Sequence, residues 1–386
     1  MFYVSKVSLL FFMLAVVDLF LGLYLKATSH NPFFYSYMLV FGFVLNTIIG
    51  AYYQIIPNSQ QIKLPVEKFG YLVFLLSVLM SSYLFFGYLN VAFMFAVATI
   101  YAFLIHILTV IRNLKPLTVK YLAFSIIYLS IIPILMLMKI KGSPLNPSVL
   151  IHTFTLGVMV NAIWGVQTAW IPMIYMQTLG QTKFKRMVVN SLVYLYQLVV
   201  IATLIGFYYG NLKLLAGMAM VVLALELLFF KFVVYDSIKP QLKLQGLPYQ
   251  IKFFLAGHLF FIAGLLVAHI MSISGNFALL NVHIDLMLLG FGLFTVVGGM
   301  VHLIPRIIWN MVYIRKAQEM KNVPNVKGVI SRQKAERLFW VSLFGYLLFI
   351  VVDIFWGGFP SAVLFGLTEG YVLLSFWYDF YRLYIL

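Results

Sequence analysis

The residues best suited to chemistry crowd into one apolar run, from His283-Ile-Asp285 through Gly290, Gly298 and His302 to Pro305-Arg306. Imidazole and carboxylate are costly in hydrocarbon unless they find partners, so two histidines and an aspartate in a bilayer-length run are functional candidates. Neutral imidazole in a helix-bundle core suits a metal or haem iron, and the competing reading is a hydrogen-bonded polar residue at a helix interface. Four other histidines share this choice: His152, His258, His269 and His106. His258 and His269 are eleven residues apart, which puts them on one helical face about 16 Å apart. The chain has no cysteine, which excludes disulfides, thiolate-held clusters and covalent haem attachment and leaves His, Met, Tyr and carboxylate as metal donors.

The elements that must position these residues are membrane spans. Hydrophobic residues make up 63% of the 386 and charged residues 9%, a balance no water-facing globular surface tolerates. The expected fold is all-α: a polytopic membrane protein of about twelve transmembrane helices. Apolar runs fall near 7–26, 33–56, 69–89, 91–111, 117–138, 147–175, 187–209, 212–235, 250–274, 279–305, 338–356 and 359–384. A pattern of Gly, seven residues, Gly, six residues, Pro occurs at Gly42/Gly50/Pro57, Gly157/Gly165/Pro172 and Gly290/Gly298/Pro305. Glycines let helix backbones approach, and the prolines are expected where the helices leave the apolar zone. The copies fall in spans 2, 6 and 10, so the expected architecture is three pseudo-repeated groups of four helices in a single domain, 1–386. Tyr35 and Tyr37 in the first copy stand where His283 and Asp285 stand in the third.

Net charge is +16, but its placement argues for a membrane surface rather than nucleic acid. With a cytoplasmic N-terminus, 22 of the 26 Lys and Arg fall inside, and Lys26, Lys139, Lys141 and Lys213 fall outside. Both termini are then cytoplasmic, in the inner (plasma) membrane. Residues 306–337 form the long basic cytoplasmic connection, expected to hold an amphipathic surface helix and a loop. This topology sorts the histidines into layers. His152, His269 and His283 lie towards the outside with His30 above them, and His106, His258 and His302 lie towards the cytoplasm. Asp285, Glu226, Asp353 and Glu369 are candidate proton-relay or coupling groups, or are paired with neighbouring Tyr, Asn or Lys.

Twelve spans in three groups, with histidines opening spans 6 and 10, resemble the catalytic subunit of haem-copper oxidases and nitric oxide reductases. The local likeness is to cbb-type oxidases and NnrS-like membrane proteins, carried by His283-Ile-Asp285, Leu289-Gly290-Phe291, Gly298 and His302-Leu-Ile-Pro305-Arg306, with His152, Gly165 and Pro172 in span 6. The resemblance implies His283 as the axial ligand of a high-spin haem and His152 as a metal ligand opposite it. It also implies departures. Asp285 replaces the second histidine of the span 10 pair, Tyr35 and Tyr37 replace the partner low-spin ligand, and Phe207-Tyr-Tyr-Gly210 lies near where a copper-binding His pair would be.

The expectation is therefore an integral membrane b-type haem protein without a complete low-spin haem and copper centre. One haem b would be held at His283 and His152, in oxidase- or nitric oxide reductase-like electron transfer or NO and O2 chemistry, with an electron-donor subunit or cytochrome as partner. Two alternatives remain open. One is a transmembrane conduit with two haems, at His269/His283 and His258/His302. The other is a metal-free transporter, assembly factor or partner subunit on the same fold.

Overall fold

A computed structural model describes the chain except residues 1–2, 30, 178, 181, 240–246, 315, 316, 318, 320–322, 324–328 and 386. The described residues form helices and connections with no β-strand. The spans are α1 (Val7–Thr28), α2 (Pro32–Gln60), α3 (Phe69–Phe85), α4 (Leu89–Leu108), α5 (Leu117–Ile140), α6 (Pro147–Ile174), α7 (Lys183–Tyr209), α8 (Leu212–Ile238), α9 (Tyr249–Ser274), α10 (Leu280–Val312), α11 (Arg332–Trp356) and α12 (Gly358–Ile385). Eleven are long and apolar enough to cross a membrane; α3, with 17 residues, is shorter. Short connections make successive spans antiparallel.

Local sequence explains where several spans begin. Asn31 and Asn146 each cap a helix by accepting a hydrogen bond from the backbone two residues on, with Pro32 and Pro147 at the first helical position, where a missing N–H costs nothing. Gly210, at φ +64°, turns the chain between α7 and α8.

Three helices form the centre. In α2, α6 and α10, 89%, 78% and 89% of the most apolar stretch is buried, against 33–50% in the other eight long spans. Outer helices close the ring through α4 on α5, α8 on α9 and α12 on α1. Each central helix lies on the helix before it through its two glycines. A Cβ on Gly42 or Gly50 would meet Asp18 or Phe11 of α1. On Gly157 or Gly165 it would meet Tyr128 or Tyr121 of α5, and on Gly290 or Gly298, Phe260 or Phe254 of α9. Where the second glycine sits, the approach reaches backbone: Ser8, Thr118 and Gln250 carbonyl oxygens are 3.2, 3.3 and 3.1 Å from the added carbon.

Two features depart from the sequence expectation. Pro57 and Pro172 lie in the last turn of α2 and α6, close to the expected ends of the apolar runs, but α10 continues past Pro305 to Val312, so the long connection begins later than 306. A proline forfeits one hydrogen bond, which does not stop a helix held on all sides. Most of the expected amphipathic helix, and His30, lie outside the described residues. Finally, each central helix contains a π-helical stretch, Met38–Val44, Thr153–Val160 and Leu286–Gly292, with Gly42, Gly157 or Gly290 at its fifth position.

Replacing Gly157 by Val should overpack the α5 contact, where the added carbon would sit 2.5 Å from Tyr128, and destabilise the protein by about 1–3 kcal/mol. Gly217→Ala, with nothing within 4 Å, should be neutral. Thermal unfolding in detergent, followed by tryptophan fluorescence, checks both.

Candidate functional site

His152 near the start of α6 and His283 near the start of α10 line one cavity of about 100 Å3, walled largely by apolar side chains of α8, α9 and α10. Their ring centroids are 6.4 Å apart with planes within 15° of parallel. Both rings are anchored the same way. His152 Nδ1 bonds the Ser148 carbonyl at 2.8 Å, and His283 Nδ1 bonds the Gly264 carbonyl at 3.0 Å. A carbonyl can only accept, so Nδ1 carries the proton and Nε2 keeps its lone pair; neither Nε2 has a partner among the described residues. This is the outer-sphere arrangement typical of metal-ligating histidines. Phe207 of α7 stacks on His152 at 4.0 Å.

The other histidines do not join this pair. His269 Nδ1 bonds the Ala216 carbonyl at 3.0 Å and lies outside the cavity. His106 is held by the Tyr53 hydroxyl at 3.3 Å and the Pro65 carbonyl at 2.7 Å. His258 is fully buried and both its nitrogens are engaged: Nδ1 contacts the Glu226 carboxylate, and Nε2 lies 2.9 Å from Gln167 Oε1. Trp164 Nε1 donates to the other Glu226 oxygen at 3.1 Å. His302 packs on Trp170 at 4.8 Å, near the opposite end of α10 from His283. The shared helical face of His258 and His269 therefore does not bring them to a common centre.

A second polar cluster was legible only in part. Lys26, expected among the outer charges, is buried instead: its Nζ lies 2.8 Å from Asp285 Oδ2 and 3.2 Å from Asp353 Oδ1. The long side chain carries its ammonium inward from the end of α1 and ties that helix to α10 and α11. Ser361 donates to Asp353 at 2.7 Å, and Tyr35 and Phe349 present their ring faces to the ammonium at 5.1 and 5.4 Å. Asp18, which the sequence reading passed over, accepts from Asn46 at 2.8 Å and Ser81 at 2.9 Å, joining α1, α2 and α3. Glu369 accepts from Ser342 at 2.5 Å.

These contacts decide which cofactor positions the residues fit. The donor chemistry at His283 and His152 fits a metal or haem iron. The space between them is that of an ion, a diatomic molecule or a few waters, below the 300–1,000 Å3 usual for larger ligands, so a macrocycle enters only if lining side chains such as Met287 and Leu280 withdraw. The position corresponding to a low-spin haem does not fit: Asp285 is bound by Lys26, and Tyr35 lies against that ammonium. A three-histidine copper centre does not fit either, since no three His, Asp or Glu side chains come together in a metal-holding group among the described residues.

No family model matches the chain. An uncharacterized protein of Aquifex aeolicus (strain VF5) is 38% identical over 359 residues, 92% of this chain and 91% of that protein. A heme-copper terminal oxidase dimer solved by cryo-EM matches 99% of this chain and 83% of its own with a TM-score of 0.65 and 15% identity, a likeness of fold.

Lys26→Met should leave two buried carboxylates uncompensated and destabilise the protein by about 3–5 kcal/mol, the usual cost of breaking a buried ion pair. Lys26→Met combined with Asp285→Asn and Asp353→Asn should recover most of that loss. Thermal unfolding of the two variants beside the unaltered protein checks the expectation.

Proposed function

The chain belongs to the same family as the Aquifex aeolicus protein and shares the fold of a heme-copper terminal oxidase. From that premise we propose that it is a membrane protein with a single metal position at His283 and His152, which takes one b-type haem once lining side chains such as Met287 and Leu280 withdraw. The observation that carries this reading is the pair of rings on one cavity, each fixed through Nδ1 to a backbone carbonyl and each with an uncommitted Nε2. His283 and His152 would be the residues that hold the haem. A haem there would supply an iron able to take a diatomic ligand such as NO or O2. The protein's part is to fix both imidazoles through Nδ1 and to line the space beside them largely with apolar side chains. An electron donor, in the form of a subunit or cytochrome, follows from this reading if the iron turns over. The basic helix ends support a cytoplasmic placement of both termini.

A two-haem conduit gains no support from the geometry, because His258 is committed to Glu226 and Gln167. A metal-free membrane protein is the second reading, favoured by the Lys26–Asp285–Asp353 cluster, which puts an internal ion pair where the resemblance implies a haem ligand. The Gly-backed contacts of α2, α6 and α10 support three groups of four helices under either reading.

The test is a pyridine haemochrome assay with iron and copper quantified on the detergent-purified chain. One haem per chain is expected in the unaltered protein and in His258→Gln, with loss of at least tenfold in His283→Ala. A chain with neither haem nor metal establishes the second reading, and a ratio of two haems overturns the single position.

A further inference from the structure

A second cavity lies far from the histidine pair. It holds about 460 Å3, at the end of the bundle where α2, α6 and α10 finish and α5 begins, and is lined by Arg306, His302, Trp170, Ser59 and Thr118 with apolar side chains of α5 and α6. Its volume falls within the range of ligand sites. Arg306 is half-buried, and its guanidinium donates to the His302 carbonyl one turn back. Among the described residues no carboxylate pairs with it and none lines the cavity. The titratable group facing it from α9 is the Tyr249 phenol, which is neutral at pH 7. A guanidinium withdrawn from bulk water without a counter-charge is a costly arrangement, and an anion relieves it. The wall adds hydroxyls from Ser59 and Thr118, and the His302 ring lies beside them. Lys63, Arg112 and Lys115 lie in the connections at this end of the bundle, Lys183 opens α7 there, and together they add a positive field.

We propose that this cavity is an anion site that takes a phosphate-class group on Arg306, with the apolar wall accepting the rest of the ligand. Guanidinium binds phosphate oxygens in a bidentate fork, and basic pockets between transmembrane helices are a recurrent seat for anionic lipid headgroups. A lipid phosphate and a free phosphate-class anion share this chemistry and differ in whether the apolar wall is used. The site is independent of the histidine cavity, so its occupancy does not depend on any metal.

Native mass spectrometry of the delipidated full-length chain in detergent distinguishes the outcomes, with phosphatidylglycerol, phosphatidylcholine and inorganic phosphate as probes. One phosphatidylglycerol per chain should bind in preference to phosphatidylcholine. Arg306→Gln should weaken phosphatidylglycerol by roughly fivefold, the worth of one basic residue at an anionic surface, and leave phosphatidylcholine unchanged. Arg306→Lys, which keeps the charge but not the fork, should retain part of the preference and shows that the loss is not a folding defect. Displacement of phosphatidylglycerol by millimolar inorganic phosphate supports the site with a soluble source; no displacement supports the lipid. Equal binding of the two lipids to the unaltered protein, or an unchanged preference in a folded Arg306→Gln, overturns the proposal.

Discussion

A charge inside a bilayer has no water to turn to, so it must find its counterpart within the protein, and this requirement organises the helix assembly. Lys26 answers to Asp285 and Asp353, Glu226 to His258 and Trp164, and Asp18 to Asn46 and Ser81. Each set spans two or three helices, so satisfying one polar group fixes the relative rotation of its neighbours. Apolar side chains alone do not impose that precision, because lipid tails compete with them on equal terms. Close backbone contact through the glycines of α2, α6 and α10 supplies the remaining attraction.

The two polar clusters also divide the fold into regions with different chemical prospects. Around His152 and His283 the polar atoms are tied back to the backbone, and two nitrogens are left uncommitted. Around Lys26 the side chains are spent on one another. Two imidazole nitrogens are thus open at one position, while at the other the polar groups are paired with one another. Fold likeness at 15% identity leaves the chemistry of both positions to be argued from these few side chains and not from the fold.

Much of the architecture was legible in the sequence because membrane spans announce themselves by length and apolarity. The Gly-Gly-Pro spacing falls on α2, α6 and α10, the three most buried long helices, and the histidines near the starts of α6 and α10 share a cavity although they stand five and seven residues before their glycines. What stayed hidden depends on side-chain reach and on pairing between separate helices. Lys26 sits at a helix end, where its identity suggested solvent, yet its four-carbon stem turns the ammonium inward. Glu226 and His258 are 32 residues apart on neighbouring helices, and no local pattern links them. The length of α10 was hidden as well: the apolar run stops at Pro305, whereas tertiary packing carries the helix on to Val312. The anion cavity was equally hidden: Arg306 reads as one of many basic residues, and what sets it apart is its half-buried place on a cavity wall that carries no acid.

The π-helical stretches carry a consequence for how such chains tolerate change in length. A π turn holds one residue more than an α turn, so removing a single residue from Met38–Val44, Thr153–Val160 or Leu286–Gly292 would restore ordinary helix and leave the flanking faces nearly in phase. The same deletion in the ordinary helix on either side would turn everything beyond it by about 100°. The widest turn of each central helix is thereby the place where its length can change by one residue at least cost to the contacts at both ends.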